Sequence, residues 1–228
     1  MDFAFTPEQI ELRHAVRSFA EAEIRPHVRK WDDSETFPLG VIKKLGSLGY
    51  MGAILPEDLG GAGLGYIEYC IIIEELSRVD GSVGIILAAH TSLCANHIYK
   101  SGTDSQRKLY IPRLASGEWL GCWGLTEASA GSDASGTQTR AVFDGQWILK
   151  GSKSFITNAT MPRSPMPQPE TGVFLHSSWK NGQRDSESVK RKRNLDCAPA
   201  RQEKWSLKTV VWTMPNYWEP RAPVLLTA

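Results

Sequence analysis

The chain has 228 residues, with 26 Lys and Arg against 25 Asp and Glu, a formal charge of +1 and four cysteines. That length gives room for one large domain or two small ones around a real core. No apolar run reaches the length of a membrane span, and "MDFAFTPEQIELR" runs straight into an acidic amphipathic helix. Neither a signal peptide nor a transit peptide is read there, and a cytoplasmic protein is expected.

The charge is unevenly placed. Residues 1–160 carry 15 Lys and Arg against 19 Asp and Glu, whereas residues 161–228 carry 11 against 6 together with 8 of the 13 prolines. A shift this abrupt marks a domain boundary, a tail or an artefact. Cys70, Cys94, Cys122 and Cys197 show neither CxxC nor zinc spacing and read as buried thiols in a reducing compartment.

"TPEQ" at 6–9 is a helix start: Thr6 caps, Pro7 suits the first helical position and Gln9 completes a capping box. Leu12, Val16, Phe19, Ala20, Ile24, Val28 and Trp31 then form one apolar stripe, which Pro26 should kink or restart. Further helices are predicted over 39–48, 66–79 and 82–100, the last after an Asp80 cap, and from a Thr103/Gln106 capping box to about Ala115. The glycines of "GYMGAILPEDLGGAGLG" permit tight turns but lack the spacing, and the preceding strand, of a dinucleotide fingerprint. At Trp119 the period changes. "WLGCWGLTE" and "TRAVFDGQWILKGSKSFIT" have strand composition, with Asp144 and Gly145 as a two-residue hairpin signal. An α+β fold is expected: an all-α unit over 1–117, then the start of an antiparallel β-domain over 118–160.

Taken alone, "GLTEASAGSD" at 124–133 reads as a strand end and a Ser/Gly turn. Read for function, its backbone N–H groups and the hydroxyls of Thr126 and Ser132 bind something polar, with glycine allowing close approach. His14, His27, His90, His97 and His176 have no second ligand at metal spacing, so surface or core roles are expected and no metal site is assigned. Glu74 and Glu75 read as one solvated and one packed helix residue rather than a catalytic pair.

"PEDLGGAG", "GLTEASAGSD", "DGQWILKGSKSFITNA" and the helical start occur in the order and at the spacing of one family. Residues 1–160 resemble the acyl-CoA dehydrogenases, and the short-chain, butyryl-CoA dehydrogenase-like branch more than others. The resemblance implies a helical N-terminal domain, a middle β-domain and a C-terminal four-helix domain, with FAD between the last two. It implies α,β-dehydrogenation of a short or medium acyl-CoA to the trans-2-enoyl-CoA in fatty acid β-oxidation, and electron transfer to an electron-transferring flavoprotein by a homotetramer. Trp123, Leu125, Thr126, Gly131 and Ser132 match the family's first flavin-contacting segment; Phe155, Ile156 and Thr157 match the second. Ser132 also matches the residue that contacts the acyl-CoA. The family usually has Trp at Phe155 and Pro at Ala128; a Phe keeps the stacking and loses the indole N–H. The resemblance also implies a same-fold oxidase or monooxygenase as an alternative.

After Thr160 the resemblance stops. A frame displaced by one base restores it: "GVFLHSSWKN" at 172–181 then permits GISAFIVEK, "VKRKRNLDCAPA" permits KLGLRAS, and "TVVWTMPNYWEPRAP" permits CRVDNAKLLGTEG, all in family order. Residues 161–228 are therefore read as an out-of-frame tail, Pro-rich, basic and disordered, in place of the C-terminal helical domain. The family's glutamate base would lie in that missing domain, so no catalytic residue is assigned and the chain is expected to be inactive alone. The other reading is a non-catalytic fragment or interaction protein that uses the basic run Lys190, Arg191, Lys192 and Arg193; no nucleic-acid fold or aromatic platform supports RNA binding.

Overall fold

A computed structural model of the chain describes residues 4–143, 147–158, 172–175 and 202–211. Helix α1 (Pro7–Glu23) begins with the expected capping box: Gln9 N donates to Thr6 Oγ1 at 3.3 Å, and Thr6 N donates to the Gln9 side chain at 3.0 Å. It stops before Pro26, which lies in a short 3₁₀ turn ahead of α2 (Val28–Asp33). The proline ring removes one N–H and clashes with the preceding turn. Helices α3 (Leu39–Ser47) and α4 (Tyr66–Val79) follow. Between them the glycine-rich stretch folds tightly on itself: Gly60 has φ +82°, and a side chain at Gly61 would strike Leu55 at 2.1 Å.

The helix predicted over 82–100 is three consecutive pieces. Asp80 accepts from Ser82 N at 2.8 Å and starts α5 (Gly81–Ala88); a π-helical stretch (Ala89–Ala95) and α6 (Asn96–Ser101) complete it. In the π-helical stretch Thr91 donates to the Met51 carbonyl at 2.9 Å and Ser92 to the Ala88 carbonyl at 2.6 Å. Such hydroxyls compete for backbone groups and accompany widened helical turns. Helix α7 (Asp104–Ala115) opens with the Thr103/Gln106 box. Among the described residues no helix is long and apolar enough to cross a membrane.

Two apolar clusters hold these helices together. Val16, Ala20, Ile24, Leu45, Ile72, Leu76 and Ile86 centre the first. Leu55, Cys94, Ile98, Ile111 and Leu114 centre the second, with Trp119 and Trp123 packed against it. Glu75 is buried and receives Arg17 Nη2 at 2.6 Å and Arg17 Nε at 2.8 Å, while Glu74 stays in solvent. The pair is therefore one packed and one solvated acid. Cys94 and Cys122 are buried, but Cys70 is exposed, against the expectation for it; its position on the outer face of α4 leaves the thiol in water. Cys197, His176 and the basic run 190–193 lie outside the described residues.

Strand β1 (Leu120–Trp123) begins one residue after the change of period. Strands β2 (Arg140–Phe143) and β3 (Trp147–Thr157) pair antiparallel. Phe143 faces Trp147, so three residues rather than two separate them; Asp144 and Gly145 themselves lie outside the described residues. Two corrections concern the sheet. β1 does not join the antiparallel sheet: it pairs in parallel with β4 (Gly172–Leu175). A loop over 124–139 separates β1 from β2, too long for a hairpin to bring them together. Within the segment read as a disordered tail, β4 and β5 (Gln202–Val211) are strands, with β5 antiparallel to β3. Val173, Phe174 and Leu175, and the run from Trp205 to Val211, have the β-branched and aromatic composition to occupy the free edges of β1 and β3.

Candidate functional site

The loop after β1 is bound to β3 by three contacts in a row. Lys153 Nζ donates to the Leu125 carbonyl at 2.9 Å, Ser154 N donates to the Thr126 carbonyl at 2.7 Å, and Lys153 pairs with Glu127 at 2.8 Å. Glu127 also closes the far end of the loop, accepting from Gln138 N at 2.7 Å, Thr139 N at 3.1 Å and Thr139 Oγ1 at 2.5 Å. Burial pushes this carboxyl up, but the bonds from Lys153, Thr139 and the two backbone N–H groups outweigh it and hold its pKa at about 2.

Next along β3 comes a bulge. Lys153 faces Trp205 and Ile156 faces Glu203, so Ser154 and Phe155 share one opposing residue. Phe155 takes φ +58°, the left-handed region, and the residue is 53% exposed. A non-glycine residue there costs about 1–2 kcal/mol and is concentrated at functional sites. Ile156 points inward and is buried, and its Cδ1 leaves 3.3 Å for any side chain at Gly124. Thr126 and Thr157 are half-buried on either side of the bulge, whereas Gly131 and Ser132 are exposed at the loop tip, with open space around Gly131. Among the described residues the hydroxyls of Thr126, Ser132 and Thr157 have no hydrogen-bond partner. Trp123 packs edge-on against His97, ring centres 4.9 Å apart.

The residues matched to the two flavin segments thus divide. Leu125 and Thr126 are stitched directly to β3 beside Phe155, while no hydrogen bond among the described residues joins Gly131 or Ser132 to 155–157. Sequence reasoning missed Glu127, Lys153 and Asn158. The strand holds two lysines, Lys150 and Lys153, and no local pattern singles out Lys153 for the ion pair. It also left the role of His90 open: the ring is fully buried, Gly121 N donates to its Nδ1 at 2.8 Å, and its Nε2–H donates to the Leu114 carbonyl at 3.0 Å. Burial lowers its pKa to about 4 and keeps it neutral.

Residues 6–118 match the description "Acyl-CoA dehydrogenase, N-terminal domain" and residues 122–166 match "Acyl-CoA dehydrogenase, middle domain". The short-chain specific acyl-CoA dehydrogenase of Clostridium acetobutylicum is 47% identical over 159 residues, which are 69% of this chain and 42% of that relative. The structure of butyryl-CoA dehydrogenase from Megasphaera elsdenii superposes with a TM-score of 0.78 at 30% identity, covering 92% of this chain and 58% of that one. An acyl-CoA dehydrogenase from Bacillus anthracis, solved in complex with FAD, superposes with a TM-score of 0.77 at 26% identity, covering 91% and 36%. The chain thus spans less than half the length of the curated relative it matches.

Proposed function

The chain belongs to the acyl-CoA dehydrogenase family, and from that premise we propose that its first 160 residues are the helical domain and half of the flavin wall of an FAD-dependent, short-chain acyl-CoA dehydrogenase. The observation that carries the reading is Phe155. An exposed aromatic residue in a left-handed bulge, near the hydroxyls of Thr126 and Thr157 that are unengaged among the described residues, suits a flat polar ring system. FAD, when bound, supplies the hydride acceptor for α,β-dehydrogenation. Phe155 would cover a face of its ring, Thr126 and Thr157 would hydrogen-bond its edge, and Ser132 would contact the acyl-CoA. The open space at Gly131 gives the phosphate-bearing part of a nucleotide or thioester room beside the loop.

The base that takes the α-proton would come from the part of the family's length that this chain does not match. On this reading the 228 residues alone should hold FAD too weakly to copurify with it and turn over no acyl-CoA, because the reaction needs a carboxylate positioned within proton-transfer reach of the α-carbon. The physiological partner would be an electron-transferring flavoprotein, and the assembly a tetramer. The test replaces residues from 160 onward by the continuation that the displaced frame encodes, adds FAD, and mixes with butyryl-CoA without oxygen. Bleaching of the flavin, absent from the 228-residue chain, is the expected result. A continued chain that binds FAD but is bleached by no acyl-CoA would reject the reading. Fast reoxidation of the bleached flavin by air would favour an oxidase.

A further inference from the structure

We propose that Asn158 is a positioning residue: its amide locks the segment 155–157 to the helical unit and so sets where Phe155 and Thr157 face a flavin. The proposal rests on reading that segment as a flavin wall. Asn158 follows β3, has φ +70° and is 4% exposed. Its Nδ2 donates to the Ile86 carbonyl at 3.0 Å and to the Gly121 carbonyl at 2.9 Å. Both partners are acceptors only, so the amide orientation is fixed by chemistry. Its Oδ1 has no partner among the described residues, so these two donated bonds are what hold the side chain.

The two anchors are not arbitrary. Ile86 lies in the last turn of α5, just before the π-helical stretch, where its carbonyl accepts from Ala89 N and has a second lone pair for the Asn158 amide. Gly121 sits in β1 and donates its own N–H to His90, which in turn bonds to Leu114 at the end of α7. One buried chain of bonds therefore runs from α7 through His90 and Gly121 to Asn158 and on to α5. Glycine would meet the left-handed backbone at less cost than asparagine. What asparagine adds is the pair of donors. With Phe155 also left-handed, Ile156 and Thr157 are bracketed by two residues in that region, the first lying two positions after Lys153 of the Lys153–Glu127 pair, the second held by its own amide.

The test uses the full chain labelled with fluorophenylalanine, the Phe155 resonance being assigned by its loss in Phe155→Leu. In Asn158→Gly, which keeps the backbone freedom and removes the donors, the Phe155 resonance should shift and broaden. Amide exchange of Ile156 and Thr157 should rise at least tenfold, with Leu76 and Ile111 unchanged. Asn158→Ala should do the same. A Phe155 resonance and exchange rates unaltered in Asn158→Gly would overturn the proposal, because the amide would then be idle. So would loss of protection at Leu76 and Ile111 in both variants, since Asn158 would then serve overall stability. Adding FAD to the unsubstituted chain separates the underlying reading: a shift of the Phe155 resonance supports the flavin wall, whatever the Asn158 variants do.

Discussion

Lys153 and Glu127 meet at 2.8 Å with side chains only 3% and 5% exposed, and this pair helps tie the loop after β1 to the third strand. A buried pair of this kind is costly to break and cheap to replace as a whole: removing one partner leaves an uncompensated charge and costs about 3–5 kcal/mol. Lys153→Met should therefore destabilise the strand region by about 3 kcal/mol in urea unfolding, and Glu127→Leu combined with Lys153→Met should recover part of that loss. Equal stability of the single and double variants would show that the pair is not coupled.

Acid should act in two steps. His90 has a folded pKa of about 4 against an ordinary 6.5, so between those values the unfolded chain binds a proton that the folded one does not. Its contribution is intact above pH 6.5 and is lost as pH falls to 4, at a cost of up to about 3 kcal/mol. Glu127, depressed from 4.5 to about 2, stabilises above pH 4.5 and loses that contribution as pH falls through 2. Urea midpoints measured at pH 7.5, 5 and 3.5 should fall at each step, and His90→Leu should remove the first step while lowering the midpoint at pH 7.5. A flat response from pH 7.5 to 5 would contradict the buried neutral histidine.

At Phe155 stability and binding should oppose each other. Phe155→Gly relieves the left-handed backbone and should leave the chain equally stable or up to about 1 kcal/mol more stable. The same change should weaken FAD binding several-fold, while Phe155→Trp, the residue usual in the family, should keep or strengthen it. Thermal melts and FAD titration on the three chains measure both effects. A destabilised glycine variant would mean that the bulge carries no strain.

The thiols should react in a fixed order. Cys70 is exposed, whereas burial pushes Cys94 up to about 12 and Cys122 well above its ordinary range. Iodoacetamide followed by peptide mapping should label Cys70 within minutes and leave Cys94 and Cys122 unlabelled until the protein unfolds. Early labelling of Cys122 would show that β1 opens independently of the helices.

The helical unit was legible in the sequence because its signals are local. Thr6 with Gln9, Asp80, and Thr103 with Gln106 each specify a helix start within four residues, and all three caps form as read. The sheet was legible only as strands. That β1 pairs in parallel with β4, and β3 with β5, depends on partners some 50 residues away, which alternation and propensity do not encode. The π-helical stretch was invisible for a related reason: its apolar spacing still reads as a helix, and the Thr91 hydroxyl acts on the Met51 carbonyl, which only the fold brings near. Of the site, the motif residues were found by family pattern. Glu127, Lys153 and Asn158 were passed over because a buried charge or amide declares itself only when its partner, 26 to 72 positions away, is in place.

The most direct test of the flavin wall is amide chemical-shift mapping of the 228-residue chain titrated with millimolar FAD. Shifts should concentrate at Trp123, Leu125, Thr126, Gly131 and Ser132 and at Phe155, Ile156 and Thr157, and should need several-fold more FAD in Phe155→Gly. Shifts confined to the surface groove lined by His27, Trp31 and Phe37, or none at any FAD concentration, would contradict the account.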